Sequence, residues 1–349
     1  MPIVVADVGL LGLSALAPRE WTLRFYDSRH LTPDQLADAQ ALLVRSTVQV
    51  DPANLPDSVE FIGTATIGTD HLPLPALTAR QIEVVSAPGC NAFAVTDYVL
   101  ATLYEWAETR GRALHSLTVG VIGVGHVGRL LIERLTALGI QTLGTDRPRF
   151  EAGTYPEHQP LDKVLAQADV LSIHVPLHHH PVYGTAPLWS PEYWEKVAPD
   201  ALIINAARGG LFSESDWLNF PGDLALDVFP GEPDISEALV GRCWRISPHI
   251  AGHSAEGKWR GTRQIVSALA RRWGHAVKPV DMAALCEETA GPSPSESDPW
   301  LRVLAACPLA ETDQRLRQAL SGVSGDARRA AFDQVRRAYR LRRESETVN

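Results

Sequence analysis

The sequence predicts an α/β protein built from two doubly wound parallel-sheet domains, followed by a small C-terminal unit. Three observations carry that expectation. Short apolar runs alternate with helix-patterned stretches along most of the chain, as strands and helices do when a parallel sheet is covered on both faces. One apolar run ends in a glycine-rich turn, GVGHVG (123–128), that opens an amphipathic stretch. Finally, 349 residues of which 45% are hydrophobic and 21% charged suffice for two buried cores.

The first set of strands is PIVVADVG at the start, ALLVRSTV (41–48), VEFIGTATIG (59–68) and IEVVSAPG (82–89). Between them TPDQLADAQ reads as a helix, with Thr32 as cap and Pro33 in the first helical position. From Ala92 to Thr109, Val95, Val99, Leu103 and Trp106 recur at helical spacing. The second set begins with VGVIGVG (119–125). After it Val127, Leu130, Leu131, Leu135 and Leu138 share a helix face, and Gly139 is placed to end that helix. IQTLGTD, DVLSIHVP, ALIINAA and LALDVF continue as strands. Residues 254–274 read as one helix from the capping Ser254 to Gly274, GPSPSESDP (291–299) as a linker, and the tail as a helix with Phe332, Val335 and Tyr339 on one stripe.

Composition excludes several classes. A net charge of −9 argues against nucleic acid as a partner. No apolar run approaches the roughly 18 residues of a membrane span. The start, MPIVVADVG, carries Asp7 and no basic stretch, so it does not read as a secretory leader. Cys90, Cys243, Cys286 and Cys307 are scattered without a CxxC pair, which speaks against a disulfide frame or a metal site. A cytoplasmic location is expected. The last 24 residues, from Asp326, hold seven arginines: Arg328, Arg329, Arg336, Arg337, Arg340, Arg342 and Arg343. They read as a solvated helix face, with contact to an anionic ligand as the alternative.

In the glycine turn, Gly123 allows a tight bend, Gly125 close approach of a pyrophosphate, and Gly128 close packing of helix on strand. Eighteen residues beyond Gly128, Asp146 ends the next strand. A carboxylate there accepts from ribose hydroxyls and repels a 2′-phosphate, which favours NAD over NADP. Arg147 and Arg149 keep NADP as the alternative. Three later fragments place polar groups where strands end: NAARGG (205–210) with Arg208, LDVFPGEP (226–233) with Asp227 and Glu232, and SPHIAGHS (247–254) with His249. A guanidinium clamps a carboxylate, a histidine moves a hydroxyl proton, and a glutamate bonded to that histidine fixes its tautomer.

The order GVGHVGR, Asp146, HVPL, NAARGG, DVFPGEP, SPHIAG resembles the NAD-dependent D-2-hydroxyacid dehydrogenases. The resemblance implies a Rossmann-type cofactor domain over 96–252, a flavodoxin-like substrate domain over 1–95 and 253–285, and a linker with a short dimerisation region over 286–349. It implies Arg208, Glu232 and His249 as the catalytic set. Around the three glycines and Asp146 it implies His126, Val127, Val175, Ala206, Ala207, Arg208, Asp227 and Gly252 as cofactor contacts. VRSTVQV (44–50), GTATIGTDH (63–71), SAPGCNAFAVTDYV (86–99) and HIAGHSAEGKWRGT (249–262) are similar to a branch of that family acting on a phosphorylated hydroxyacid. That implies Arg45, Ser46, Thr66, Ile67, Gly68 and His253 as substrate contacts, although His253 stands where that branch carries a tyrosine. The other readings are a dehydrogenase of a different D-2-hydroxyacid, such as 3-phosphoglycerate, and a non-enzymatic NAD-sensing protein. The tail stripe is too short to stand alone, so it is expected to find cover in a twofold homodimer, from which Arg342 or Arg343 would reach the partner's substrate phosphate.

Overall fold

The computed structural model describes residues 1–27, 31–188, 190–282 and 297–345. The chain forms two compact units. One holds Met1–Asn91 and the described chain from His253 to 282, the other Ala92–Gly252 and the described tail.

In the first unit β1 (Ile3–Asp7), β2 (Thr22–Tyr26), β3 (Ala41–Val44), β4 (Phe61–Thr64) and β5 (Glu83–Val85) make one parallel sheet, in the order β2-β1-β3-β4-β5. Every residue of β3 and β4 is buried, because helices cover both faces. Alternation sends Val4, Ala6, Leu43 and Phe61 to one face, against Ile265 and Leu269 of the helix Ala255–Trp273, and Val5, Leu42, Val44 and Ile62 to the other. That helix starts and stops on its signals: the Ser254 side chain accepts from the Gly257 N–H, and Gly274 is left-handed at φ 67°. TPDQLADAQ is shorter than its pattern suggests. Thr32 and Gln35 complete a capping box, but the helix spans only Pro33–Leu36. β2 is an edge strand with only Tyr26 buried, so no apolar run announces it.

In the second unit β6 (Thr118–Ile122), β7 (Gln141–Thr145), β8 (Val170–Ile173), β9 (Leu202–Asn205), β10 (Asp223–Leu226) and β11 (Arg245–Ile246) are again all parallel, ordered β11-β10-β9-β8-β6-β7. The helix Ala92–Arg110 packs Val99, Leu103 and Trp106 with Val119, Val121 and Ile204 on one face, while Leu171, Ile173, Ile203 and Leu224 fill the other. Strand order reverses between β6 and β8 here, and between β1 and β3 in the first unit. Open parallel sheets bind ligands beyond the carboxyl ends of the strands at such reversals.

The tail departs from expectation. Of the linker 291–299, residues 291–296 lie outside the described residues. Asp298 caps the helix Pro299–Ala306 by accepting from the Trp300 N–H at 2.8 Å. The helices Leu309–Leu320 and Gly325–Ala338 follow. Phe332 is fully buried, edge-on to Phe229 at 6.2 Å and in one core with Leu316 and Leu320. Val335 packs on that core, and Tyr339 on the core of the opposite sheet face. The stripe is therefore covered by the chain's own sheet domain, which removes the physical reason for expecting a partner surface there. Asp313 also accepts the Ile246 N–H at 2.7 Å, which satisfies a buried donor of the edge strand β11 that no neighbouring strand pairs. Replacing Phe332 by alanine should cost about 3–5 kcal/mol of stability, read as an earlier urea midpoint, with no change of oligomeric state by light scattering.

Nor do the seven arginines share one solvated face. Arg328 is buried and donates to the Ile235 and Leu320 carbonyls at 2.6 and 2.9 Å, and Arg329 pairs with Asp234 at 2.8 Å. Arg342 is buried and donates at 2.8 Å to the carbonyls of Ala94 and Ala251. Held inward in this way, Arg342 does not extend toward a partner's active site.

Candidate active site

β6 delivers the chain into Gly123, left-handed at φ 90°. A Cβ on Gly128 would lie 2.0 Å from the Gly123 carbonyl oxygen, so strand, turn and helix close only without side chains there. Gly125 is different: a Cβ on it would meet nothing within 4 Å. It caps the helix His126–Ala137 without a side-chain bond, and the first-turn N–H groups, including those of His126 and Val127, have no acceptor within the helix. That is the cradle a pyrophosphate needs. Val175 and the His174 carbonyl close over Gly123 from the end of β8.

Asp146 follows β7 with both carboxylate oxygens engaged, one accepting the Val124 N–H at 2.8 Å and the other the Arg149 N–H at 3.1 Å, which caps the helix Arg147–Glu151. The oxygen that takes the Val124 N–H also pairs with the Arg149 guanidinium at 3.5 Å, while the other keeps a second acceptor direction, so the residue fits a ribose as well as the turn it supports. Sequence spacing misses His158, whose Nδ1 accepts the Asp146 N–H at 3.0 Å, and Phe150, half exposed, with its ring 5.0 Å from that of His158. Burial pushes the His158 imidazole below its ordinary value, against the opposing charge of Asp146. Asp146→Ala removes a charged acceptor worth about 1.5–3 kcal/mol, so the NAD Kd should rise about tenfold or more and the gap to NADP should narrow. Titrations with both nucleotides check this, and a parent protein that prefers NADP would refute the reading of Asp146.

Arg208, Glu232 and His249 sit on the loops after β9, β10 and β11, three neighbouring strands. Buried Asn205, which spacing did not single out, shapes the first loop: its side chain accepts from the Ala207 N–H and donates to the Arg208 carbonyl, both at 3.0 Å, so it also sets Ala206 in place. Gly209 lets the first two loops touch, since a Cβ there would lie 1.9 Å from the Phe229 carbonyl oxygen. His249 donates from Nδ1 to Glu232 Oε1, while Glu232 Oε2 accepts the Phe229 N–H at 3.2 Å. This bond leaves Nε2 as the proton acceptor of the ring.

Burial is the largest single influence on Glu232 and pushes its carboxyl up. The bond to His249, the charges of His249 and Arg336 and the Phe229 N–H outweigh it and hold the group below the usual 4.5. A depressed folded value means stability that is present above pH 4.5 and lost as the pH falls through that lower value. In Glu232→Gln the fall of Tm with pH below 4.5 should therefore be shallower than in the parent.

Asp227, expected among the cofactor contacts, is also bonded to the His249 loop. It is 1% exposed, its backbone carbonyl accepts the His249 N–H at 2.8 Å, and its carboxylate takes the Ser247 hydroxyl and the Ile250 and Ala251 N–H groups at 2.7, 2.7 and 2.9 Å. Ser247 is in turn 2.9 Å from the buried Tyr98 hydroxyl. Asp227 thus holds the loop in the left-handed turn at His249, φ 57°, that ends just before Gly252.

In the first unit Arg45 and Ser46 follow β3, and Thr66, Ile67 and Gly68 follow the neighbouring β4. Arg45 Nε and Nη2 both lie 2.8 Å from Asp7 Oδ1. Asp7 is buried as the last residue of β1, so this pair marks the strand-order reversal of the first sheet. Its signal in the sequence was a carboxylate closing an apolar strand. Thr66 Oγ1 is 2.8 Å from Thr64 Oγ1 and donates to the Gly68 carbonyl at 2.9 Å, while Ile67 is exposed. His253 begins the return segment, beside the capping Ser254.

A dinucleotide cradle at a strand-order reversal, with a histidine–carboxylate pair on loops of the same sheet, defines an NAD-dependent dehydrogenase. Residues 94–251 match the family described as D-isomer specific 2-hydroxyacid dehydrogenase, NAD binding domain. A solved structure of NAD⁺-bound 3-phosphoglycerate dehydrogenase from Entamoeba histolytica shares this fold, with a TM-score of 0.66 at 19% identity over 78% of this chain and 96% of that one. Erythronate-4-phosphate dehydrogenase of Azotobacter vinelandii is 38% identical over 98% of this chain and 92% of its own length. That of Pseudomonas aeruginosa is 38% identical over 98% and 93%. The chain belongs to the erythronate-4-phosphate dehydrogenase family.

Proposed function

We propose that the protein oxidises the C2 hydroxyl of 4-phospho-D-erythronate to give 2-oxo-3-hydroxy-4-phosphobutanoate, a step in pyridoxal phosphate (vitamin B6) biosynthesis. The His249–Glu232 hydrogen bond supports this reading most directly, because it leaves Nε2 of His249 as the acceptor for the hydroxyl proton. Glu232 then stabilises the imidazolium that forms. Arg208 binds the substrate carboxylate through its planar fork and polarises the neighbouring C2 oxygen. NAD, when bound over Gly125 and beside Asp146, supplies the acceptor for the C2 hydride. Val175, Ala206, Ala207 and Gly252 border its place.

The substrate's second anionic end needs its own donors. Arg45, pre-oriented by Asp7, serves here with Ser46, Thr66, the backbone around Ile67 and Gly68, and His253, all of the first unit. NADH formation with 4-phosphoerythronate, compared with 3-phosphoglycerate, tests the reading. Faster turnover of the glycerate would overturn it. The proposal includes a cytoplasmic enzyme, in keeping with scattered cysteines of which Cys90, Cys243 and Cys307 are buried. It also includes a homodimer, which rests on the resemblance of the C-terminal region and no longer on its apolar stripe.

A further inference from the structure

We propose that Arg342, reaching back from the C-terminal tail, is a positioning residue for His249, an inference that rests on the catalytic reading of that histidine. The His249 loop adopts a left-handed turn that a histidine does not favour by itself, so outside bonds must hold it. Asp227 supplies the acceptors: it takes the N–H groups of His249, Ile250 and Ala251. An acceptor cannot hold a carbonyl, and the carbonyl of Ala251, two residues past the histidine, needs a donor.

Arg342 is that donor. Its Nη2 lies 2.8 Å from the Ala251 oxygen and 2.8 Å from the oxygen of Ala94. Ala94 stands in the first turn of the helix by which the chain enters the second unit, and Ala251 stands where the chain leaves it. One planar group therefore ties the entry to the exit, and its bond at the exit is on the catalytic loop.

The arrangement is costly to build. Arg342 is 4% exposed and Asp97, whose carboxylate lies 3.7 Å from Nη1, is 0% exposed. Asp97 also pairs with Arg134 at 2.8 Å and accepts the N–H and hydroxyl of Ser345 at 2.9 and 2.6 Å. An apolar side chain would fill the same space without the desolvation penalty, but it could not hold two carbonyls at a fixed separation. The expense is explained by the position of the loop.

Arg342→Gln, Arg342→Lys and Ser345→Ala separate positioning from stability, because Ser345 shares Asp97 but does not bond to Ala251. Three quantities are measured in each full-length variant: hydrogen exchange of the 247–252 segment by mass spectrometry, kcat and KM with 4-phosphoerythronate, and Tm. Arg342→Gln should exchange that segment about tenfold faster or more, as expected for loss of a charged hydrogen bond. It should lose about 10–100-fold in kcat through misplacement of the imidazole, with KM for NAD within about twofold of the parent. Arg342→Lys, which keeps a charged donor but on a shorter stem, should fall between the parent and Arg342→Gln. Ser345→Ala should lower Tm while leaving kcat and segment exchange at parental values.

Parental exchange and kcat in Arg342→Gln would overturn the proposal, as would an equal kcat loss in Ser345→Ala at equal Tm. If Arg342→Gln does not fold, parental exchange and kcat in Arg342→Met, which fills the space without a donor, overturn it instead. A parent protein inactive on 4-phosphoerythronate would refute the substrate assignment, and segment exchange would still decide the role of Arg342.

Discussion

Replacing His249 by asparagine should lower turnover about 10²–10⁴-fold, the usual contribution of a positioned general base, while NAD affinity stays at the parental value. Asparagine can still donate to Glu232 Oε1, so the loop keeps the contact seen here, but it has no group that takes up a proton near neutral pH. The measurement is kcat beside an NAD titration of the same preparation. Turnover within a few-fold of the parent would remove His249 from the chemistry. A parallel loss of NAD affinity would show that the loop, and not only the base, had been damaged.

Gly209→Ala should be nearly as severe, although the substitution adds one methyl group and removes no functional atom. Its Cβ would lie 1.9 Å from the Phe229 carbonyl oxygen. That contact is backbone, so the loop bearing Arg208 and the loop bearing Glu232 must part by roughly 1 Å or more, a displacement that costs about 10²-fold in rate. The loss should appear in kcat and in KM for the hydroxyacid together, because Arg208 is proposed to bind the carboxylate. Parental kinetics would mean that the two loops move independently.

How clearly an element shows in the sequence follows how deeply it is buried. Strands such as ALLV (41–44) and LIIN (202–205) are buried at every position, so their apolar runs are unbroken and easy to find. Thr22–Tyr26 and Arg245–Ile246 lie at sheet edges, where one side faces no strand and the apolar pattern lapses. Of the candidate site, the residues carried by turns with demanding geometry are legible: the glycines of GVGHVG, Arg208 before a pair of glycines, and His249 in SPHIAG.

Groups that act by holding a loop were not legible. Asp227 and Asn205 lie within recognisable fragments, yet whether a carboxylate or amide faces a ligand or the chain's own N–H groups depends on tertiary placement. Arg342 lies 93 positions beyond His249 in a run of arginines, and no local pattern separates the inward-facing one from its neighbours. The tail stripe was found but given the wrong cover, because sequence periodicity shows that a face is apolar and not what it packs against.

The burial of Phe332, Leu316 and Leu320 in the cofactor domain's core also bears on how the protein is made. Domains generally fold as units while the chain is being synthesised. Here the dinucleotide turn and the loops bearing Arg208, Glu232 and His249 leave the ribosome well before the helices that complete the core. A nascent chain halted before Asp298 therefore has every motif of the active site and an open hydrophobic floor. The core of the NAD-binding half therefore closes only after the helix Gly325–Ala338 has emerged.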